Sequence, residues 1–353
     1  MKIVFFRHSL LNRGGDKMIA AHASFLAAQG HQVIIAANRF DTVHLIHPLV
    51  RLVPLKLPGK IGTILSAAVT TYRDTLVIAD IIPMACLLSF CNHGRIAYFA
   101  QDNDESYYSS SAMRLLIRIL YHLGLGRLKI PTIAVSKNLA DELGKPYDAV
   151  ITVVPNGVDA SMFYPEPNPD YIASKAGRKA VLLFSRSDWR KGFDIAVKTM
   201  SKVAIDSDFK DTLEVWTVGE AATGRFEGLP HKDFGYVDEV ELRRIMSSAD
   251  LFLYPSRHEG LPLMPLEAMA CGCPVVCSSA SAAVAENGYN ALVVDNGNDT
   301  GFAASVMRIL NDGPLRESFI NNGRTTALEM SLDGATRKFE DSVLRLYDRE
   351  STV

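Results

Sequence analysis

The densest chemistry in the chain lies in Glu259-Gly260-Leu261-Pro262-Leu263-Met264-Pro265-Leu266-Glu267, where two carboxylates stand eight positions apart. A strand-like run, Leu251–Tyr254, leads into this Pro/Gly loop, and the pattern predicts a short helix starting near Leu263 and stopping at Gly272. The backbone amides of Leu263 and Met264 then stand at a helix N-terminus, where unpaired N–H groups and the helix dipole favour an anion. Each glutamate alone reads as dipole compensation or a solvated charge. The pair, with glycine and prolines between, reads better as two contacts to one bound molecule. A second group is Ser185-Arg186-Ser187-Asp188-Trp189-Arg190-Lys191-Gly192. It places Arg186 at the end of a strand and Lys191 before the next helix, so both converge on a phosphate or face solvent from an ordinary loop. Arg13-Gly14-Gly15-Asp16, after the first strand, is a turn that lets a ligand approach the backbone or is simply tight.

The elements that must hold these residues alternate along the whole chain. Lys2–Phe6, His31–Ala36, Thr75–Ile78, Arg95–Phe99, Thr132–Val135 and Ile151–Val154 read as strands, with helical stretches such as Asp16–Gln29 and Met113–Leu123 between them. Ala180–Phe184, Leu213–Val218, Leu251–Tyr254, Pro274–Cys277 and Ala291–Val294 repeat the pattern. Strands without clean alternation are buried on both faces, which points to an α/β chain with two doubly wound parallel sheets. Tyr164-Pro165-Glu166-Pro167-Asn168-Pro169 forbids continuous helix and reads as the connector. The expected division is 1–165, 166–335 and a last helix at 336–353 packing back on the first domain. Ligands of such sheets bind beyond the C-terminal strand ends, here in a cleft the two domains share.

Composition narrows the classes. The 353 residues carry a net charge of −2, which argues against a nucleic-acid partner. The first 165 residues hold 16 Lys and Arg against 11 Asp and Glu, the remainder 21 against 28, so the halves suit different partners. Five cysteines without paired spacing, and an opening Met1-Lys2-Ile3-Val4 that reads as strand and not leader, predict a reduced, cytoplasmic protein. Met113–Lys129 carries Arg114, Arg118, Arg127 and Lys129 among leucines. It reads first as a core-facing helix with a charged outer face, and second as a contact with an anionic membrane, at its inner face. Asp102-Asn103-Asp104 has a metal-binding spacing but belongs to one loop without converging carboxylates, so no metal is expected.

With Val153-Val154-Pro155-Asn156-Gly157-Val158-Asp159, these segments resemble glycosyltransferase family 4, the retaining, sugar-nucleotide-dependent transferases of GT-B fold. The resemblance is most specific over Glu-x7-Glu and the Glu267-Ala-Met-Ala-Cys-Gly-Cys-Pro-Val-Val that follows. It implies two Rossmann-like domains facing a cleft, the first for acceptor and the second for donor. It implies a nucleotide-diphosphate sugar as donor substrate, no cofactor or metal beyond it, and a glycan or lipid-linked acceptor. Arg186 and Lys191 then neutralise the diphosphate, Glu267 takes the ribose, Glu259 the donor sugar, and Leu263 and Met264 complete the phosphate cradle. Gly15 closes over it from the first domain, and the backbone near Val237 holds the base. Where relatives often carry His after the strand that here ends Tyr98-Phe99-Ala100, this chain has Gln101-Asp102, making Asp102 the catalytic candidate there. The same departure keeps open a degenerate protein that binds sugar nucleotides without turnover. A dinucleotide oxidoreductase needs a Gly-x-Gly-x-x-Gly that Arg13-Gly14-Gly15-Asp16 does not supply, and an exported two-lobed binding protein needs a leader.

Overall fold

The computed structural model describes residues 1–349 apart from 12, 42–45, 70, 92–94, 207, 210 and 227. The chain divides into two compact units, Met1–Asn156 with Leu332–Val353, and Gly157–Ser331.

The first unit is built on a parallel sheet of strands β1 (Lys2–Phe6), β2 (Gln32–Ala37), β3 (Arg51–Pro54), β4 (Leu76–Ala79), β5 (Arg95–Ala100), β6 (Thr132–Ala134) and β7 (Ile151–Val153), in the order β3-β2-β1-β4-β5-β6-β7. Its central strands are apolar on both faces: Ile3, Val4, Phe5 and Phe6 are all buried. That is what helices on both sides of a parallel sheet require. Helix α1 (Gly14–Ala28) crosses leftward from β1 to β2, whereas α2 (Gly59–Val69), α3 (Ile82–Cys91) and α4 (Ser111–Tyr121) return rightward. Right-handed crossovers therefore put α2, α3 and α4 on the face opposite α1. The last helix, Leu332–Arg349, lies against α1. There Phe339 stacks on the His22 ring at 4.0 Å and meets Phe99 at 5.0 Å.

The second unit holds strands β8 (Lys179–Ser185), β9 (Leu213–Gly219), β10 (His231–Asp233), β11 (Leu251–Tyr254), β12 (Val275–Ser278) and β13 (Ala291–Val294) in the parallel order β10-β9-β8-β11-β12-β13. Helix α5 (Phe193–Ile205) follows β8, and α6 (Leu263–Ala270) follows β11. Each sheet thus reverses direction once, between β1 and β4 and between β8 and β11. At such a point neighbouring connections leave to opposite sides and open a crevice beyond the strand ends.

Two expectations need correction. The division falls at Asn156/Gly157, and the proline-rich Tyr164–Pro169 segment packs within the second unit. Its Glu166 amide donates to Ser247 Oγ at 2.9 Å, and its carboxylate takes the Arg243 guanidinium, which lies 4.2 Å over Tyr164. Proline stiffness was legible in the sequence; the partners that fix the segment were not. Helix α4 also departs from its expected burial: only Ile117 and Tyr121 are buried, while Leu115, Leu116 and Ile119 stand exposed.

Candidate functional site

In the second unit the crevice lies between the loops after β8 and β11, and the sequence-predicted residues gather there. Lys191 Nζ donates to Glu259 Oε1 and Oε2 at 2.9 and 3.0 Å. Tyr254 OH and Ser256 Oγ reach the same Oε1 at 2.6 and 2.7 Å. Three donors on one carboxylate oxygen fix the nearly buried Glu259 side chain in place. Burial, and then the Glu259 carboxylate, hold the Tyr254 hydroxyl well above its ordinary pKa, so it stays a donor. The buried Glu267 also acts electrostatically on Tyr254.

The two loops are clamped together. Gly192 has φ +67°, and a Cβ there would lie 2.0 Å from the Pro255 carbonyl oxygen. Only glycine fits both the backbone and the gap. Arg190 O accepts from Arg257 N at 2.7 Å. Arg257 forms a bidentate pair with Asp194 at 2.7 Å for both bonds and stacks 4.7 Å over the exposed Trp189. That hydrogen-bonded guanidinium lowers the Asp194 carboxyl pKa. Helix α6 starts at Leu263, where Pro262 supplies no side-chain cap and the first turn carries no acid. It ends in a Schellman arrangement, with Cys273 N bonding to Ala268 O and Gly272 N to Met269 O. The expected start and stop of this helix are both observed.

Arg186 sits one step further along the crevice. Its Nη1 donates to Tyr236 OH at 2.8 Å and lies 3.9 Å from Glu220. Glu220 in turn accepts from Ser187 N at 2.8 Å. Tyr236 precedes Val237, so the β8 loop and the loop after β10 meet through this arginine. Tyr254, Ser256 and Glu220 were not singled out from the sequence, and Tyr236 only within the Gly235-Tyr236-Val237 segment whose backbone is expected to hold the base. The first two were within reach, since Tyr254-Pro255-Ser256 directly precedes Glu259. Glu220 and Tyr236 join only through strand order.

Gly15 and Asp102 belong to the first unit. Gly15, in the first turn of α1, packs against the Gln101 side chain. Asp102 Oδ1 accepts from Asn103 N at 2.8 Å. Asp104 is buried; its carboxylate accepts from Ile82 N at 2.6 Å at the start of α3, and its amide donates to Tyr121 OH at 2.8 Å. Burial pushes its carboxyl up to about 8. This carboxyl is spent on a helix start. At the reversal between β1 and β4, Arg7 is buried between Asp16 and Asp80, with Asp80 at 3.0 Å. Among the described residues no three His, Cys, Asp or Glu side chains gather in a metal-holding arrangement. Burial pushes the Cys271 and Cys277 thiols up to about 12.

Comparison with known proteins matches residues 178–312 to the family described as Glycosyl transferases group 1. The O-antigen chain mannosyltransferase B of Escherichia coli is 35% identical over 102 residues, 29% of this chain and 27% of that one. The chain spans about half the length, or less, of such curated relatives. Among solved structures, the sucrose-phosphate synthase of Thermosynechococcus elongatus superposes with a TM-score of 0.81 at 18% identity, covering 99% of this chain and 100% of that one. Anabaena HepE in complex with UDP-glucose gives 0.75 at 17% identity, covering 100% of both chains. This chain thus has the GT-B fold of glycosyltransferases, with its group 1 similarity lodged in the second unit.

Proposed function

We propose that the chain is a retaining glycosyltransferase of the family 4 kind, moving a sugar from a nucleotide diphosphate to a hydroxyl of a glycan or lipid-linked acceptor. The observation that carries this reading is the clamp at the β8–β11 reversal. There Gly192 and Pro255 hold Lys191 and Glu259 together beside an uncapped helix N-terminus. Cations already seated by carboxylates meet a diphosphate with little reorganisation, and charge building on the leaving group is what such donors stabilise. In this reading Lys191, Arg186 and the amides of Leu263 and Met264 hold the diphosphate. Glu267 holds the ribose, Glu259 the donor sugar, and the backbone at Val237 the base. The acceptor hydroxyl attacks on the face the diphosphate leaves, and a donor phosphate oxygen takes its proton, so no protein base is needed. A bound metal has no part in this scheme. HepE with UDP-glucose and the O-antigen mannosyltransferase support the donor and acceptor classes by similarity.

The test is turnover: sugar nucleotides incubated with glycan and lipid-linked acceptors, and the anomeric configuration of any product read by its NMR coupling constants. A product that keeps the donor's configuration supports the proposal. An inverted product contradicts the retaining scheme, and tight donor binding without turnover contradicts the enzyme reading and leaves the degenerate binder.

A further inference from the structure

Trp189 is a ring held fixed in the open. The residue is 68% exposed, yet the Arg257 guanidinium lies 4.7 Å over its indole. That guanidinium is itself locked: Nη1 and Nη2 each donate to the Asp194 carboxylate at 2.7 Å, and Nη1 also donates to Trp189 O at 2.8 Å. Its backbone is tied as well, with Arg257 N bonded to Arg190 O at 2.7 Å and Arg257 O accepting from Asn296 Nδ2 at 3.0 Å. A large aromatic side chain gains most by burial, and a cation–π contact at the surface recovers only part of that gain. With one face of the indole under the arginine, the exposure belongs to the other face and the edges.

The surroundings select the occupant. Among the described residues from Lys179 to Ala204 and from Leu251 to Gly288, the stretches that carry the β8 and β11 loops, Trp189 is the only large apolar side chain that is exposed. A protein or lipid surface needs an apolar area wider than one ring. Beside the indole are hydrogen-bond acceptors instead: the Asp188 carboxylate, oriented by Arg190 Nη2 at 2.7 Å, and the half-exposed Asp194 carboxylate. One apolar ring framed by oriented acceptors matches a pyranose, which has a face of C–H groups and a rim of hydroxyls. A nucleobase is flat too, but strand order counts against it. Arg186 and Tyr236, beside the expected base position, lie toward β10, whereas Asn296 comes from the loop after β13 at the other end of the sheet. We propose that the open face of Trp189 stacks a pyranose ring of a saccharide, with Asp188 and Asp194 accepting from its hydroxyls. The subsite needs no nucleotide; within the transfer reading the saccharide is the acceptor glycan.

The experiment uses tryptophan emission of the full chain. Of the two tryptophans, Trp216 is fully buried, so a change on adding ligand reports on Trp189. The probes are maltotriose, mannotriose and chitotriose, with sorbitol as a polyol that has no ring and UDP as a base without a saccharide. The expected result is a saturable change with at least one trisaccharide and none with sorbitol. By calorimetry Trp189→Ala should weaken that trisaccharide roughly tenfold and Trp189→Tyr should retain most of the affinity. The ring is exposed, and cooperative urea unfolding shows that each variant is folded. No change with any trisaccharide overturns the proposal, as does Trp189→Ala binding as tightly as the parent. So does a change with UDP alone, for then a base is the occupant. Trisaccharide binding through Trp189 in a chain that binds no nucleotide upholds the subsite and contradicts the transfer reading; nucleotide binding without any trisaccharide does the reverse.

Discussion

At the scale of single residues, the site rests on contacts that tolerate little change. Gly192→Ala must accept both a left-handed backbone and a Cβ facing the Pro255 carbonyl. We expect it to cost about 1–3 kcal/mol in urea unfolding and to abolish binding of nucleotide diphosphates, because the two loops separate. The first unit holds a pH-sensitive residue. The Asp104 carboxyl is raised to about 8 in the fold from an ordinary 3.8, so between these values the folded state keeps a proton that the unfolded state releases. Its contribution to stability is full below about 4 and is lost as the pH rises through 8. His22 works the other way: burial lowers it to about 3, so stability falls as the pH drops below 6.5. Between 6.5 and 8 only the Asp104 slope remains of these two. Asp104→Asn, which still accepts from Ile82 N, should flatten it, read as denaturant midpoints at pH 6.5 and 8. A variant as pH-dependent as the parent would refute the assignment. The legible residues here were those whose type alone marks them: Glu259, Glu267, Arg186 and Lys191. Their partners Glu220 and Tyr236 are brought in by strand order, which single residues do not encode.

At the scale of elements, the last helix is a structural part of the first unit. Phe339 is fully buried, stacked between His22 and Phe5 and edge-on to Phe99. Phe339→Ala should cost about 3–5 kcal/mol and let His22 protonate in the fold, seen as a shallower loss of stability between pH 6.5 and 3. The buried strands were legible because β-branched and aromatic runs such as Leu251–Tyr254 have no other use. Strands β3 (Arg51–Pro54) and β10 (His231–Asp233) were not, since edge strands are half solvated and carry no apolar run. Helix α4 was legible as a helix, but not which side faced in. Its large apolar and charged stripes predict burial of the apolar one, and the tertiary structure buries Ile117 and Tyr121 instead.

At the scale of the molecule, the sequence divides nearly in half by composition, yet the chain returns to its first unit at Leu332. Val158 and Ser331, where the chain enters and leaves the second unit, pair in a parallel bridge. A fragment Gly157–Ser331 should therefore unfold cooperatively and bind nucleotide by itself, whereas ending the chain at Ser331 should remove the first unit's transition from a calorimetric scan. A fragment that stays unstructured would show that the second unit depends on the first. The central claim is that the β8–β11 crevice is a diphosphate site. The most direct measurement is the thermal shift of the full chain with UDP, GDP, dTDP and ADP, each with and without EDTA, beside the Arg186→Ala plus Lys191→Ala variant. One nucleotide at 100 times its Kd should stabilise the parent by about 2.7 kcal/mol, untouched by EDTA, and leave the variant unmoved. No shift with any of the four, or an equal shift in the variant, would contradict the account.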